Sequence, residues 1–234
     1  MTGTTRDGRR RAILAIDCAT TRVVVASGSA DGRLDGLTTW AAGYRHGETL
    51  LPAIERFLGE QDIRRSRVMA IVVGTGPGAF TGLRVGLATA KGLAHGLGLP
   101  LVGISTGEAR LAAAAEAGGA TGGTPVLLLP AGPSDRIVVR RGAPPVLLVA
   151  GTEPTLAAGE SLVAIDLEGR ADTRASERGE VARAGLGAAL IALGAARLGA
   201  GDVDDLAGLV PEYVTLPRGV DGVGGEVSWS RDRR

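Results

Sequence analysis

The stretch from Val68 to Leu97 constrains the fold more than any other part of the chain. A β-branched run, Val68 to Gly74, leads into the turn Gly74-Thr75-Gly76-Pro77-Gly78, and a helical pattern follows from Thr81 to Leu97. Leu83, Leu87, Ala90 and Ala94 recur at helical spacing. Gly82, Gly86 and Gly92 interrupt that helix at about 1 kcal/mol each relative to alanine, a cost that implies very close packing. Strand, tight turn and helix N-terminus together can hold an anion or let two backbones pass closely. Two nucleotide motifs fit poorly on detail. A Walker loop needs lysine and then Ser or Thr directly after its last glycine, whereas Lys91 is far downstream and precedes Gly92. A dinucleotide fingerprint is interrupted by Pro77 and lacks its acid until Glu108, beyond the roughly 20 residues expected.

Around this block the period of the sequence alternates. Ala12 to Asp17, Val23 to Ser27 and Leu34 to Trp40 read as three antiparallel strands, the last introduced by Asp31-Gly32. Leu50, Leu51, Ile54, Phe57 and Leu58 then share one side of a helix over Gly47 to Leu58, in which Pro52 is tolerable only near the first turn. Leu101 to Ser105 is a further strand after Pro100. The order is βββαβαβ. Beyond Glu108 alanine and glycine dominate, and Gly118 to Thr124 is a flexible boundary. Short strands are expected at Val126 to Leu129, Arg136 to Arg140, Val146 to Val149 and Leu162 to Ile165, with a helix over Glu180 to Leu198. This looser repeat suggests a duplicated unit. The expected organisation is a basic tail over 1–11, a first lobe over 12–110, a smaller degenerate lobe over 111–216 whose last segment packs back on the first, and a tail over 217–234.

Composition narrows the chemistry. At 234 residues with 44% hydrophobic content the chain can form two modest lobes, and no uninterrupted apolar run reaches the roughly 18 residues of a membrane span. No membrane partner and a cytoplasmic address are expected, because the basic N-terminus leads straight into a strand with no signal-type core. Cys18 is the single cysteine, which excludes an internal disulfide and a cysteine-rich metal site. A net charge of +1 gives no global pull toward nucleic acid, although Arg9 to Arg11 and Arg231 to Arg234 make both ends locally basic. Two Phe, two Tyr and two Trp leave few stacking platforms for single-stranded RNA. His46 and His95 are the only histidines. His46, beside Glu48, reads as a cap or surface contact, and His95 suits a helix C-terminus.

Asp17 ends the first strand and is followed by Cys18-Ala19-Thr20-Thr21. An acid there can handle the metal-phosphate end of ATP, with Thr20, Gly76 and Gly78 as further contacts, or the same residues can be ordinary turn chemistry. The two helices carry Leu50, Leu51, Ile54, Leu58, Leu83, Leu87 and Lys91 as candidates for a helical partner interface. The alternative is that these side chains fill the lobe's own core.

Taken in order, Ile13-Leu-Ala-Ile-Asp-Cys-Ala-Thr20, Arg45-His-Gly-Glu-Thr-Leu-Leu-Pro-Ala-Ile54, Gly76-Pro-Gly-Ala-Phe-Thr-Gly-Leu-Arg-Val-Gly-Leu-Ala-Thr-Ala-Lys-Gly-Leu93 and Pro100-Leu-Val-Gly-Ile-Ser105 resemble the TsaB family, also called YeaZ. The likeness covers residues 12 to about 110, thins in the second half and returns at Pro211-Glu-Tyr-Val. It implies an α/β, actin-like (ASKHA) fold of two RNase H-like lobes, with mixed sheets flanked by helices. It also implies a noncatalytic scaffold of the machinery that makes N6-threonylcarbamoyladenosine after the anticodon of tRNA. The implied partners are TsaD in a heterodimer, the ATPase TsaE, a second copy of the chain when TsaD is absent, and tRNA through the complex. In the homologous TsaD two metal-binding histidines stand four residues apart, and the matching positions here are Thr106 and Arg110, which are not metal ligands. The resemblance therefore implies no metal and no catalytic residue here. Leu128-Leu129-Pro130 replaces the acid that ends the second lobe's first strand in the family, which disfavours ATP as a cofactor. The rival readings are an active actin-like kinase, marked by saturable ATP binding and turnover, and a peptidase, for which no triad is present.

Overall fold

The computed structural model describes residues 11–43, 45–119 and 123–214. Three strands, β1 (Ala12–Asp17), β2 (Arg22–Gly28) and β3 (Leu34–Ala41), form an antiparallel meander. Helix α1 (His46–Glu60), β4 (Val68–Gly74), α2 (Phe80–Leu97), β5 (Leu101–Ile104) and α3 (Thr106–Gly118) follow. β4 and β5 add in parallel to give the order β3-β2-β1-β4-β5, with β1 in the centre and buried at every position.

A strand buried on both faces reads as a continuous apolar run, and that is the character of Ile13 to Ile16. Its side chains alternate between two cores. Leu14 and Ile16 join Val23, Val25, Ile71 and Val73 beneath α1 and α2. Ile13 and Ala15 join Val24, Ala26, Ala70 and Val72 on the opposite face.

The second sheet has the order β8-β7-β6-β9, built from β6 (Thr124–Ala131), β7 (Asp135–Val139), β8 (Val146–Leu148) and β9 (Glu160–Ala164). Its β6 is antiparallel to β7 and parallel to β9, as β1 is antiparallel to β2 and parallel to β4. The lobes therefore repeat one plan. Among the described residues the second has no helix between β8 and β9 and no counterpart of β5.

Helix α4 (Thr173–Gly199) begins seven residues before the sequence pattern predicts, because Asp172 caps it by accepting from the Ala175 amide at 2.9 Å. It packs on the first sheet as well as the second. A Cβ on Gly187 would meet Leu37 and Ala26, and one on Gly194 would meet Val72 at 2.4 Å. By length and composition α4 could cross a bilayer, yet here it buries Leu186, Leu190 and Ile191 against the first sheet.

Two sequence expectations are corrected by this arrangement. The boundary at residue 110 falls inside α3, which starts at Thr106 and was not read as a helix because its alanines show weak periodicity. Pro52 lies in the second turn of α1 rather than the first, at an exposed position. The tails expected over 1–11 and 217–234 lie outside the described residues, apart from Arg11.

After α4 the chain returns to the first lobe. The Asp204 amide donates to the Leu101 carbonyl at 2.9 Å, and the Glu212 amide donates to the Thr75 carbonyl at 2.7 Å. Leu209 packs in the α1–α2 core, whereas Val214 packs in the core of the second sheet.

Candidate functional site

Two places in this fold could carry function: the cleft between the lobes, and a groove between α1 and α2. The cleft has a volume of about 740 Å³ and is walled by the β1–β2 turn, the start of α2 and the β6–β7 turn.

Asp17, two residues before Ala19 of the cleft wall, is fully buried. Its Oδ1 accepts from the Ala19 amide at 3.0 Å and its Oδ2 from Thr106 Oγ1 at 2.6 Å. Thr106 Oγ1 accepts in turn from the Gly76 amide at 3.1 Å. Helix α3 thus ties the strand-end acid to the glycine turn. A side chain on Gly74 would collide with this pair, since its Cβ would lie 1.8 Å from Asp17 Oδ2. Close backbone passage is also the role of Gly78, whose Cβ would lie 2.0 Å from the Ala19 carbonyl oxygen.

One helical turn beyond Thr106, the same face of α3 presents Arg110. It is 1% exposed and its Nη2 donates to Thr20 Oγ1 at 3.0 Å. Burial pushes the guanidinium below its ordinary range, with Asp17 and Asp166 acting in the opposite sense. Thr21 belongs to the second lobe's reach: its amide and hydroxyl both donate to the Asp166 carboxylate, at 3.2 and 3.0 Å. Asp166 follows β9 with φ of 55° and is paired with Arg183 at 3.0 Å.

Of the candidates from sequence, Asp17, Thr20 and Gly76 converge on Thr106 and Arg110, while Gly78 lines the cleft. The residue opposite them was missed. Leu129 and Pro130 line the cleft at the end of β6, and the second-lobe carboxylates that line it are Asp135 of β7 and Asp166, just beyond β9, which holds Thr21. No local signal marks Asp166, because only the parallel pairing of β6 with β9 brings it to the cleft.

His46 is corrected as well. It is 6% exposed at the start of α1, where the ring lies near Gly82 of α2, and a Cβ there would be 3.5 Å from His46 Nε2. Burial pushes its imidazole below the ordinary histidine range. Burial likewise raises the Cys18 thiol, aided by the Asp17 charge, so this cysteine is no nucleophile. Among the described residues no group of three His, Cys, Asp or Glu could hold a metal ion.

At the cleft mouth, Phe80 and Tyr213 pack with ring centroids 5.1 Å apart, and Arg84 Nε donates to the Tyr213 hydroxyl at 2.9 Å. Glu212 accepts from Ser105 Oγ at 3.1 Å, and burial raises its carboxyl above the ordinary range.

The second place is an apolar groove of about 490 Å³ between α1 and α2. The helix face expected for a partner needs correction here. Leu50, Ile54, Leu58, Leu83 and Leu87 are all 7% exposed or less and belong to the core, since the amphipathic helices first cover their own sheet. Ile54 and Leu58 still floor the groove, and Leu51, at 52% exposure, stands on its rim with Leu97. Lys91 is half-buried, with Nζ 3.5 Å from the Ala207 carbonyl oxygen. Gly92 and Gly96 line the groove, and a Cβ on either would meet nothing within 4 Å. Nothing among the described residues requires a glycine at these two positions.

The family profile described as TsaD: tRNA N6-adenosine threonylcarbamoyltransferase matches residues 33–182, well over half of the chain. The chain resembles the YeaZ/TsaB proteins of the same tRNA modification system. It is 37% identical over 94 residues to the tRNA threonylcarbamoyladenosine biosynthesis protein TsaB of Escherichia coli, covering 40% of each chain. The TsaB of Haemophilus influenzae is 42% identical over 71 residues, 30% of each chain. The matched stretches span only 28% to 40% of the first curated relatives' own length. The solved structure of YeaZ from Pseudomonas aeruginosa superimposes with a TM-score of 0.65 at 23% identity, over 87% of this chain and 100% of that one, and so shares the fold.

Proposed function

We propose, on the premise that the chain belongs to the family described as TsaD: tRNA N6-adenosine threonylcarbamoyltransferase, that it serves that tRNA modification as a noncatalytic subunit bound to a catalytic relative. The observation that carries this reading is the state of the inter-lobe site. Asp17, the strand-end acid that could handle a metal-bound phosphate, is fully buried, and both its oxygens already accept hydrogen bonds, from Ala19 and Thr106. Thr106 and Arg110 stand where a catalytic member needs metal ligands, and both are committed to neighbours inside this chain.

What the chain offers instead is surface. Leu51 and Leu97 flank an apolar groove whose α2 wall is bare at Gly92 and Gly96, a shape suited to a helix of a second protein. The partner is TsaD, in a heterodimer formed through α1 and α2. In its absence a second copy of this chain takes the same face. TsaE acts on the assembled pair, tRNA is engaged through the complex, and the assembly works in the cytoplasm. The names TsaB and threonylcarbamoyladenosine biosynthesis carried by the similar proteins support this assignment.

The test is reconstitution of threonylcarbamoyladenosine formation with the cognate synthase, TsaD and TsaE, with and without this chain, beside size-exclusion chromatography of its mixture with TsaD. The expected result is a stable heterodimer and modification that depends on this chain. Failure to bind TsaD or to change modification, together with ATP turnover by the chain alone, would replace this reading with that of an actin-like kinase.

A further inference from the structure

The segment after α4 is bound to the fold in a way that docking of a partner does not require. β5 is an edge of the first sheet, and an edge strand presents backbone groups that another strand could pair. Here a loop and a helix end take them. The Asp204 amide donates to the Leu101 carbonyl at 2.9 Å, the Gly103 amide donates to Asp204 Oδ2 at 2.7 Å, and Arg197 Nη1 of α4 donates to the Gly103 carbonyl at 2.7 Å. Arg197 also pairs with Asp204 at 3.0 Å, so the two side chains hold each other on the edge. Gly103 makes the fit possible, since a Cβ there would lie 2.6 Å from Leu209 Cδ1.

From this anchor the chain runs to the cleft. Leu206 and Leu209 pack against the core beneath α1 and α2. The Glu212 amide donates to the Thr75 carbonyl at 2.7 Å, and the Glu212 carboxylate accepts from Ser105 Oγ at 3.1 Å. Tyr213 then packs on Phe80 and accepts from Arg84 Nε at 2.9 Å, while Val214 enters the core of the second sheet. Phe80, Tyr213 and Val214 all line the cleft. One segment thus joins the edge of the first sheet to the second lobe.

We propose that residues 204–214 are a strap across the mouth of the inter-lobe cleft, seated on the β5 edge and drawing Tyr213 and Val214 into the cleft wall, so that release at either end loosens the other. The segment contains no helix or strand, and a segment with few backbone hydrogen bonds opens at a lower free energy than a sheet. The strap therefore opens before the sheets do, and its opening uncovers the β5 edge and the cleft mouth together. This holds whichever partner the α1–α2 groove binds.

Residue-resolved amide hydrogen exchange on the full chain tests the coupling. In the parent, the Asp204 and Glu212 amides should show matching protection, lower than that of β1 and β2. Asp204→Ala removes the edge anchor and should speed the Glu212 amide, at the far end of the strap, by about tenfold or more, the effect of losing a hydrogen bond to a charged group. Gly103→Ala should act in the same direction without altering a strap residue, because its Cβ displaces Leu209. Tyr213→Ala should in turn speed the Asp204 amide. If Asp204→Ala changes only the Gly103 amide, or Tyr213→Ala leaves Asp204 at the parent's rate, the contacts are local and the proposal is wrong. Strap amides as protected in the parent as those of β1 and β2 would also overturn it, since the strap would then open only with the whole chain. Should Asp204→Ala fail to fold, Asp204→Asn, which keeps an acceptor for Gly103 and loses the charge facing Arg197, decides the matter with Tyr213→Ala by the same two amides.

Discussion

Thr106 Oγ1 donates to Asp17 Oδ2 at 2.6 Å across 89 residues of sequence, and the same oxygen accepts from the Gly76 amide. One hydroxyl therefore joins the first strand, the glycine turn and the third long helix. Thr106→Val keeps the shape and removes the hydroxyl, leaving a buried carboxylate and a buried amide short of a partner. The expected loss is about 1–3 kcal/mol of folding stability for the unsatisfied group. Thr106→Ser should retain most of it, and urea unfolding of the two variants measures the difference.

The glycines of α2 and its preceding strand divide into two classes, and alanine substitution should separate them. Gly74→Ala places a Cβ 1.8 Å from Asp17 Oδ2 and should destabilise the chain by at least about 1–3 kcal/mol, the usual cost of overpacking. Gly92→Ala and Gly96→Ala meet open space, so each should stabilise the isolated chain by about 0.5–1 kcal/mol. The same two changes should weaken binding to TsaD if a partner helix approaches this wall. Thermal unfolding of the chain alone and titration with the partner read the two effects separately.

Leu50 and Leu51 are neighbours in sequence with opposite fates, 1% and 52% exposed. Leu50→Ala should cost about 2–5 kcal/mol of stability through the cavity it leaves. Leu51→Glu should change stability by no more than about 0.5 kcal/mol. Its effect should appear instead as loss of the heterodimer on size exclusion, and an intact heterodimer with Leu51→Glu would move the interface elsewhere.

His46 makes the chain sensitive to mild acid. Burial holds its folded-state imidazole below the ordinary value of 6.5, so the unfolded chain takes up the proton first as pH falls. Its neutral form stabilises the fold fully above 6.5, and that contribution is lost as pH drops from 6.5 toward the lower folded value. His46→Gln should flatten this part of the stability–pH curve while leaving the carboxylate-dependent part at lower pH. Equal slopes for the two proteins would show that the imidazole is free to protonate in place.

Much of the architecture is legible in the residues alone. The apolar run Ala12 to Asp17, the alternation after Val23 and the helical spacing from Leu83 to Ala94 determine where strands and helices form, because backbone period and side-chain burial are local properties. The glycine turn likewise announces close passage, and Gly78 against the Ala19 carbonyl is that passage. What the tertiary structure alone decided is which face of each helix is left over, and which distant groups meet. Leu50, Leu83 and Leu87 share an apolar stripe with no sign of whether sheet or partner will cover it, and the sheet claims them because a chain must close its own core first. Asp166 reaches the cleft through the pairing of β6 with β9, and Thr106 and Arg110 reach Asp17 and Thr20 through the placement of α3, contacts between segments that are remote in sequence. Such contacts depend on how sheets and helices stack in three dimensions, and periodicity along the chain carries no record of them.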